Sequence, residues 1–337
     1  MSVLGLGLLA MQALGRGLSS HPSFENKARR LMFKLSEARD ILPASLFIDG
    51  VHNRTEHPLH AGGYGDVYQA SYKGKLVALK RIRMFTSEVS KEQRSKFCRE
   101  ALLWQGLSHQ CIHPFYGIDQ HSFATTYCMV SPWMEHGTVL KYLADHERSR
   151  GVLNRFLLQI AQGIHYLHSK SVIHGDIRGA NILIAPSSNE NSTSSSSSSA
   201  NVHACLTDFG LAKVVMGEGE TATGLASSSN IAGSLRWFAP ELLSPQAFGC
   251  EKFARTRATD VYAFACVCVE LYTLTPPFAN AIDPAVILKV INGERPERPV
   301  GMPDGIWQVA TKGWAPKWMD RPGTEDIIRR LENELAL

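Results

Sequence analysis

Residues 66–82 hold two runs that suit only an extended chain. DVYQASY and KLVALKRI are rich in Val, Leu, Ile and Tyr and meet at Lys73-Gly74, which predicts two antiparallel strands joined as a hairpin. The pattern changes downstream of them. SKEQRSKFCREALLWQGL reads as a helix, and after the hinge-like SPWMEHGT the chain becomes mainly helical, through VLNRFLLQIAQGIHYLHSK, TDVYAFACVCVELYTL, DPAVILKVI and EDIIRRLENEL. The expected architecture is α+β, with a small strand-rich lobe ahead of a larger helical one.

The chain has 337 residues, 44% of them hydrophobic, which is ample for two real cores. Its formal charge of +4 is small and its basic residues are scattered, so no nucleic-acid footprint is expected. Seven cysteines without a CxxC pair do not make a disulfide framework, and a reducing, cytoplasmic setting fits them best. The start, MSVLGLGLLAMQALGRGLSS, is apolar from Val3 to Leu14, too short to span a bilayer and without a basic residue ahead of the apolar run. Neither a secretory signal nor a membrane partner is expected, while a transit peptide and a packing helix both stay open. NKARRLMFKLSEARDIL puts Leu31, Leu35 and Ala38 on one face and stops at Pro43, so residues 1–56 form an extension with a short amphipathic helix and a possible contact role. The stretch at 186–202 carries a serine run without apolar residues to offset the entropy of ordering it, and reads as a flexible insertion between two strands.

Four groups of residues carry chemistry. In LHAGGYGDVY, Gly62, Gly63 and Gly65 form a turn whose backbone can come close to phosphates because no Cβ holds it off, although His60 stands where G-x-G-x-x-G-x-V has its first glycine. In VALK, Ala78 and Lys80 share one side of a strand, one small enough to admit a planar base and the other long enough to reach phosphate. Such a lysine needs a carboxylate, and Glu100 in the following helix is available. HGDIRGAN and TDFG together supply Asp176, Asn181 and Asp208, a base candidate and two oxygen ligands of the kind hard Mg2+ prefers.

These motifs, in this order and followed by APE at 239–241, DVYAFA and WMDRP, resemble the eukaryotic protein kinases over about residues 57–334. The resemblance implies a bilobal kinase fold with a small lobe at 57–131, a hinge at 132–137 and a large lobe at 138–334. It further implies that ATP and Mg2+ are used and that proteins are the substrates. Lys80, paired with Glu100, would hold the α- and β-phosphates, Asn181 and Asp208 would bind Mg2+, and Asp176 would orient the attacking hydroxyl and accept its proton. Arg178 would place a cation by the transferring phosphoryl group. Adenine would lie between Val67 and Ala78 above and Leu183 below, bonded to the Pro132 carbonyl and the Met134 N–H, with Ser131 as a small gatekeeper. The resemblance gives Glu241, Arg321 and Asp260 structural roles and makes His174 a packing residue under Phe209.

Gly175 stands where many members carry an arginine that receives an activation-segment phosphate, so activity without such a phosphate is expected, although Thr221, Thr223 and Ser227 to Ser229 are available acceptors. Gly233-Ser234 favours serine/threonine specificity, whereas Arg178 and LRW have a tyrosine-kinase flavour; the whole resembles the tyrosine-kinase-like group of serine/threonine kinases, and especially the expanded families of mushroom-forming fungi. A kinase-fold scaffold that binds ATP without catalysis and a tyrosine or dual-specificity kinase are the alternatives.

Overall fold

The computed structural model describes residues 42–62, 65–81, 91–124, 126–146, 148–187, 202–214 and 234–336. The apolar start, nearly all of the amphipathic helix, Gly63, most of the serine run and the five acceptor hydroxyls at 221–229 lie outside these residues. The chain divides into two compact units: one runs through Ser108 and includes Pro114–Trp133, and the other holds His109–His113 and everything from Met134 onward.

The first unit is built on strands β1 (His60–Gly62), β2 (Gly65–Tyr72) and β3 (Lys75–Arg81), helix α1 (Lys91–Gln105), and strands β4 (Gly117–Asp119) and β5 (Cys128–Pro132). Among the described residues these strands make one five-stranded antiparallel sheet in the order β1-β2-β3-β5-β4. The β2–β3 hairpin closes where the sequence predicts. Lys73 (φ 48°) and Gly74 (φ 75°) both take positive φ, the backbone that a two-residue type I′ turn requires and that glycine adopts without strain. Side-chain alternation then sorts the residues into faces. Tyr68, Ala70, Val77, Leu79, Cys128 and Val130 form the buried cluster on one side. Val67, Ala78, Lys80 and Ser131 share the other, through the cross-strand pairs Val67↔Lys80 and Ala78↔Ser131. The unit also extends upstream of residue 57. Leu46 is buried, Phe47 bridges to Ile118, and His52 bridges to Ser71.

The second unit contains α2 (Val139–Asp145), α3 (Arg150–Ser169), β6 (Val172–Ile173), β7 (Ile182–Pro186), β8 (Val202–Leu206), β9 (Lys213–Val214), α4 (Pro240–Leu243), α5 (Arg257–Thr273), α6 (Asp283–Ile291), α7 (Asp304–Gly313) and α8 (Thr324–Ala336). Thr138 and Ser149 cap α2 and α3 by accepting backbone N–H bonds, and Thr256 with Thr259 forms a reciprocal capping box at the start of α5. β7 and β8 stay paired out to Pro186↔Val202, so the serine-rich connection leaves and returns at paired residues. Helix α5 is the core of the unit: every residue from Thr259 to Leu271 is buried, as a helix apolar on all sides demands. Two of those buried residues are the acids Asp260 and Glu270. Among the described residues no helix is long and apolar enough to cross a membrane.

Candidate active site

In the first unit the chemistry gathers on the sheet face opposite the buried cluster. Lys80 sits between residues of a strand whose Val77 and Leu79 are fully buried, so its ammonium cannot stay there without an anion. Glu100 on α1 supplies it, with Lys80 Nζ donating to Glu100 Oε1 at 2.8 Å. Val67 and Ala78 lie on the same face by register. At the sheet's end Gly62 pairs with Gly65 to close the glycine turn, and Gly65 has φ 149°, a backbone that side-chain-bearing residues rarely adopt. His60, in the place of the first glycine of the motif, lays its ring against the Trp133 indole, with centroids 6.1 Å apart and planes 23° from parallel.

Proline in the last strand costs nothing here. Trp133 N–H donates to Leu76 O at 3.1 Å. The alternation of an antiparallel ladder then makes Val77↔Pro132 a non-hydrogen-bonded pair, so the missing N–H removes no ladder bond and the Pro132 carbonyl points away from β3. Ser131, one residue earlier, is buried.

In the second unit, the loop 174–181 is held almost wholly by hydrogen bonds. His174 is fully buried; its Nε2 meets the Thr207 carbonyl at 3.0 Å and its Nδ1 accepts the Asp176 N–H at 3.2 Å. A carbonyl can only accept, so Nε2 carries the proton and Nδ1 does not, which fixes the neutral ring as a brace. The ring also packs beside Phe209, with centroids 5.4 Å apart. Asn181 Nδ2 donates to the Asp176 carbonyl at 2.9 Å and to Asp176 Oδ2 at 2.7 Å. That assignment turns Asn181 Oδ1 the other way, as an oxygen donor set for a hard cation requires. Arg178 Nε lies 3.5 Å from the same Asp176 Oδ2, which leaves Oδ1 outside both contacts.

Asp208, remote in sequence, is brought to this loop by strand pairing. Ile182 faces Leu206 across β7 and β8, and Thr207 N–H donates to Asn181 O at 3.0 Å, so Asp208 follows directly on a residue bonded to Asn181. Its backbone is left-handed, φ 65°, a conformation aspartate tolerates better than most residues. Leu183 is the next residue of the same strand pair and bridges to Thr138, while Ile184 N–H donates to Gly137 O and Gly137 N–H to Met134 O. Met134 and Leu183 are thereby neighbours within the second unit.

Two buried carboxylates of α5 pin the loop. Asp260 accepts His174 N–H at 2.9 Å, Gly175 N–H at 2.8 Å and His168 Nε2 at 2.9 Å. Glu270 Oε2 accepts Gly179 N–H and Trp237 Nε1–H, each at 2.9 Å. Ten residues of helix separate the acids by roughly 15 Å, so one rigid rod spaces both ends of the loop. Burial pushes the Glu270 carboxyl up to about 7, against the pull of those two hydrogen bonds and of Arg178. The sequence reading assigned Glu270 no role, although a lone acid in an all-apolar helix signals that buried donors await it. Farther off, Arg321 grips Glu241 with both ends of its fork, Nη1 to Oε1 at 2.6 Å and Nη2 to Oε2 at 2.8 Å, in a fully buried pair.

Ser234 lines a cavity of about 10 Å3 together with Gly175, Asp176, Trp237 and Asp260, room for one water at most. Its Oγ is buried and has no hydrogen-bond partner among the described residues.

Comparison with known proteins identifies the family. RGS domain-containing serine/threonine-protein kinase A of Dictyostelium discoideum is 28% identical over 81% of this chain, Serine/threonine-protein kinase TNNI3K of Mus musculus 28% over 82%, and Mitogen-activated protein kinase kinase kinase 3 of Arabidopsis thaliana 30% over 72%. The matches span only 22%, 30% and 36% of those relatives' own lengths. The family of protein tyrosine and serine/threonine kinases matches residues 54–331, most of the chain, and the chain therefore belongs to the protein kinases.

Proposed function

We propose that the protein transfers the γ-phosphoryl group of ATP to serine and threonine hydroxyls of protein substrates, with Mg2+ as the resident cation. The observation that carries this reading is the Asp176 carboxylate, whose Oδ2 is held by Asn181 Nδ2 at 2.7 Å while its second oxygen remains outside those bonds. The residues fit the groups the family uses. Lys80, fixed by Glu100, suits the α- and β-phosphates, and the turned-out Asn181 amide oxygen with the Asp208 carboxylate suits a hard divalent ion. When bound, the cation neutralises charge on the phosphates. Asp176 orients the incoming hydroxyl and takes its proton, and Arg178, beside it at 3.5 Å, offers a planar cation to the phosphoryl oxygens. For adenine we propose Val67, Ala78, Ser131 and the Pro132 carbonyl from the first unit, and the Met134 N–H and Leu183 from the second. Gly62, Gly63 and Gly65 would cover the phosphates.

Serine/threonine specificity is supported by Ser234 beside Asp176 and by the names of the relatives, as is placement in the tyrosine-kinase-like group. The kinase domain spans residues 57–334, and of the preceding residues 1–56, which would serve as a contact segment, Leu46, Phe47 and His52 pack on the first unit. The test is ATP turnover with a generic acceptor such as myelin basic protein, followed by phosphoamino-acid analysis. Wild type should yield phosphoserine and phosphothreonine, and Asp176→Asn should abolish transfer while ATP binding persists. Equal trace turnover in both proteins would refute catalysis in favour of an ATP-binding scaffold.

A further inference from the structure

Gly175 has φ 77°, and a Cβ added there would stand 2.5 Å from Arg255 Cδ, 3.1 Å from Leu211 O and 3.2 Å from Arg255 Nε. The space a side chain at position 175 would need is therefore already filled, by an arginine eighty residues downstream, in the segment that leads into α5. Arg255 is itself only 4% exposed. Its guanidinium carbon lies over two aromatic rings, 5.7 Å from the Phe238 centroid and 5.2 Å from that of Phe253, so the cation is held beside both phenyl groups. From there Nε donates to the Gly175 carbonyl at 2.9 Å.

That carbonyl belongs to the peptide whose other end is the Asp176 N–H. His174 Nδ1 accepts the N–H, Arg255 takes the oxygen, and Asp260 accepts the preceding N–H of Gly175 at 2.8 Å. With both sides of the peptide engaged, its plane cannot rotate without breaking buried bonds, one of them to a cation. The direction in which Asp176 leaves the backbone is set by that plane.

We propose that Arg255 is a positioning residue for Asp176: it supplies from the start of α5 the cation this loop lacks at Gly175, and holds the 175–176 peptide in its working orientation as part of the folded core. Positions 175 and 255 form one unit with room for a single large side chain. The inference rests on Asp176 acting in phosphoryl transfer.

The experiment uses the full chain, with kcat and KM for ATP measured on myelin basic protein and amide hydrogen exchange followed over residues 174–179. Arg255→Met keeps the volume without the charge, and should lower kcat at least tenfold with KM for ATP within twofold. Arg255→Lys, still able to donate to the carbonyl, should recover part of the loss. Exchange over 174–179 should rise in Arg255→Met and not over α8, a readout that holds even were the wild type inactive. Gly175→Arg alone should lose nearly all activity, through the clash and through the strain of a side chain at φ 77°, and adding Arg255→Ala, which removes the clash though not the strain, should raise its kcat at least tenfold. Wild-type kcat in Arg255→Met, unchanged exchange over 174–179, or effects at the two positions that simply multiply would overturn the proposal. Should Arg255→Met not fold, Arg255→Lys and the two-position cycle decide by the same criteria. Equal silence of wild type and Asp176→Asn would count against the kinase reading alone, since the exchange measurement then judges Arg255.

Discussion

Glu270→Gln isolates the energetics of the buried carboxyl that holds the loop. Burial raises this group from an ordinary 4.5 to about 7, the surrounding groups being Gly179 N–H, the Trp237 indole and Arg178, all of which favour the charged form but do not outweigh the loss of water. Between those two values the unfolded chain has already released the proton and the folded chain still holds it. Raising the pH through that window therefore favours unfolding: the contribution of Glu270 is present in full below 4.5 and is lost by about 7, above which both states are ionised. At about 1.36 kcal/mol per pH unit, the interval corresponds to about 3 kcal/mol. Glutamine keeps an oxygen for both donors and does not titrate. Urea unfolding at pH 5.0 to 8.0, followed by tryptophan fluorescence, should show the stability difference between wild type and Glu270→Gln shifting by about 2.5 kcal/mol toward the variant as the pH rises, the rest of the effect lying below pH 5.0. A difference that stays flat across this range would refute the argument that burial dominates at this carboxyl.

Two further outcomes follow from other parts of the structure. Glu241→Gln strands the fully buried Arg321 cation and should cost about 3–5 kcal/mol in denaturant unfolding, whereas adding Arg321→Met should return part of that loss; a double variant as unstable as the single would contradict it. Replacing Thr221, Thr223, Ser227, Ser228 and Ser229 together by alanine should leave at least half of the kinase activity, because position 175 has no side chain to receive a phosphate and Arg255 is packed against Phe238 and Phe253. A loss of most activity, restored by acidic residues at the same positions, would show the opposite.

Much of the fold can be read from local pattern. The period-2 runs at 66–82 became β2 and β3 because their alternation matches a half-buried sheet, and Lys73-Gly74 could only turn between them. The long apolar segments became α3 and α5, and Asp176, Asn181 and Asp208 stood out because their types and order carry chemistry by themselves. Residues 44–52 were harder: they pair with Ser71 and Ile118, and nothing within the segment announces a partner that far away. The same holds for the supports of the loop. Glu270 meets Gly179 across ninety-one residues, and Arg255 meets Gly175 across eighty.

By itself the sequence determined which groups the proposed phosphoryl transfer would draw on, and in what order, since side-chain type and strand or helix period are local properties. Only the tertiary structure decided how those groups are held. A buried donor or acceptor takes whichever partner the packing places within 3 Å, and for the Asp176 loop the partners are the acceptors Asp260 and Glu270 on α5 and the donor Arg255 just before it.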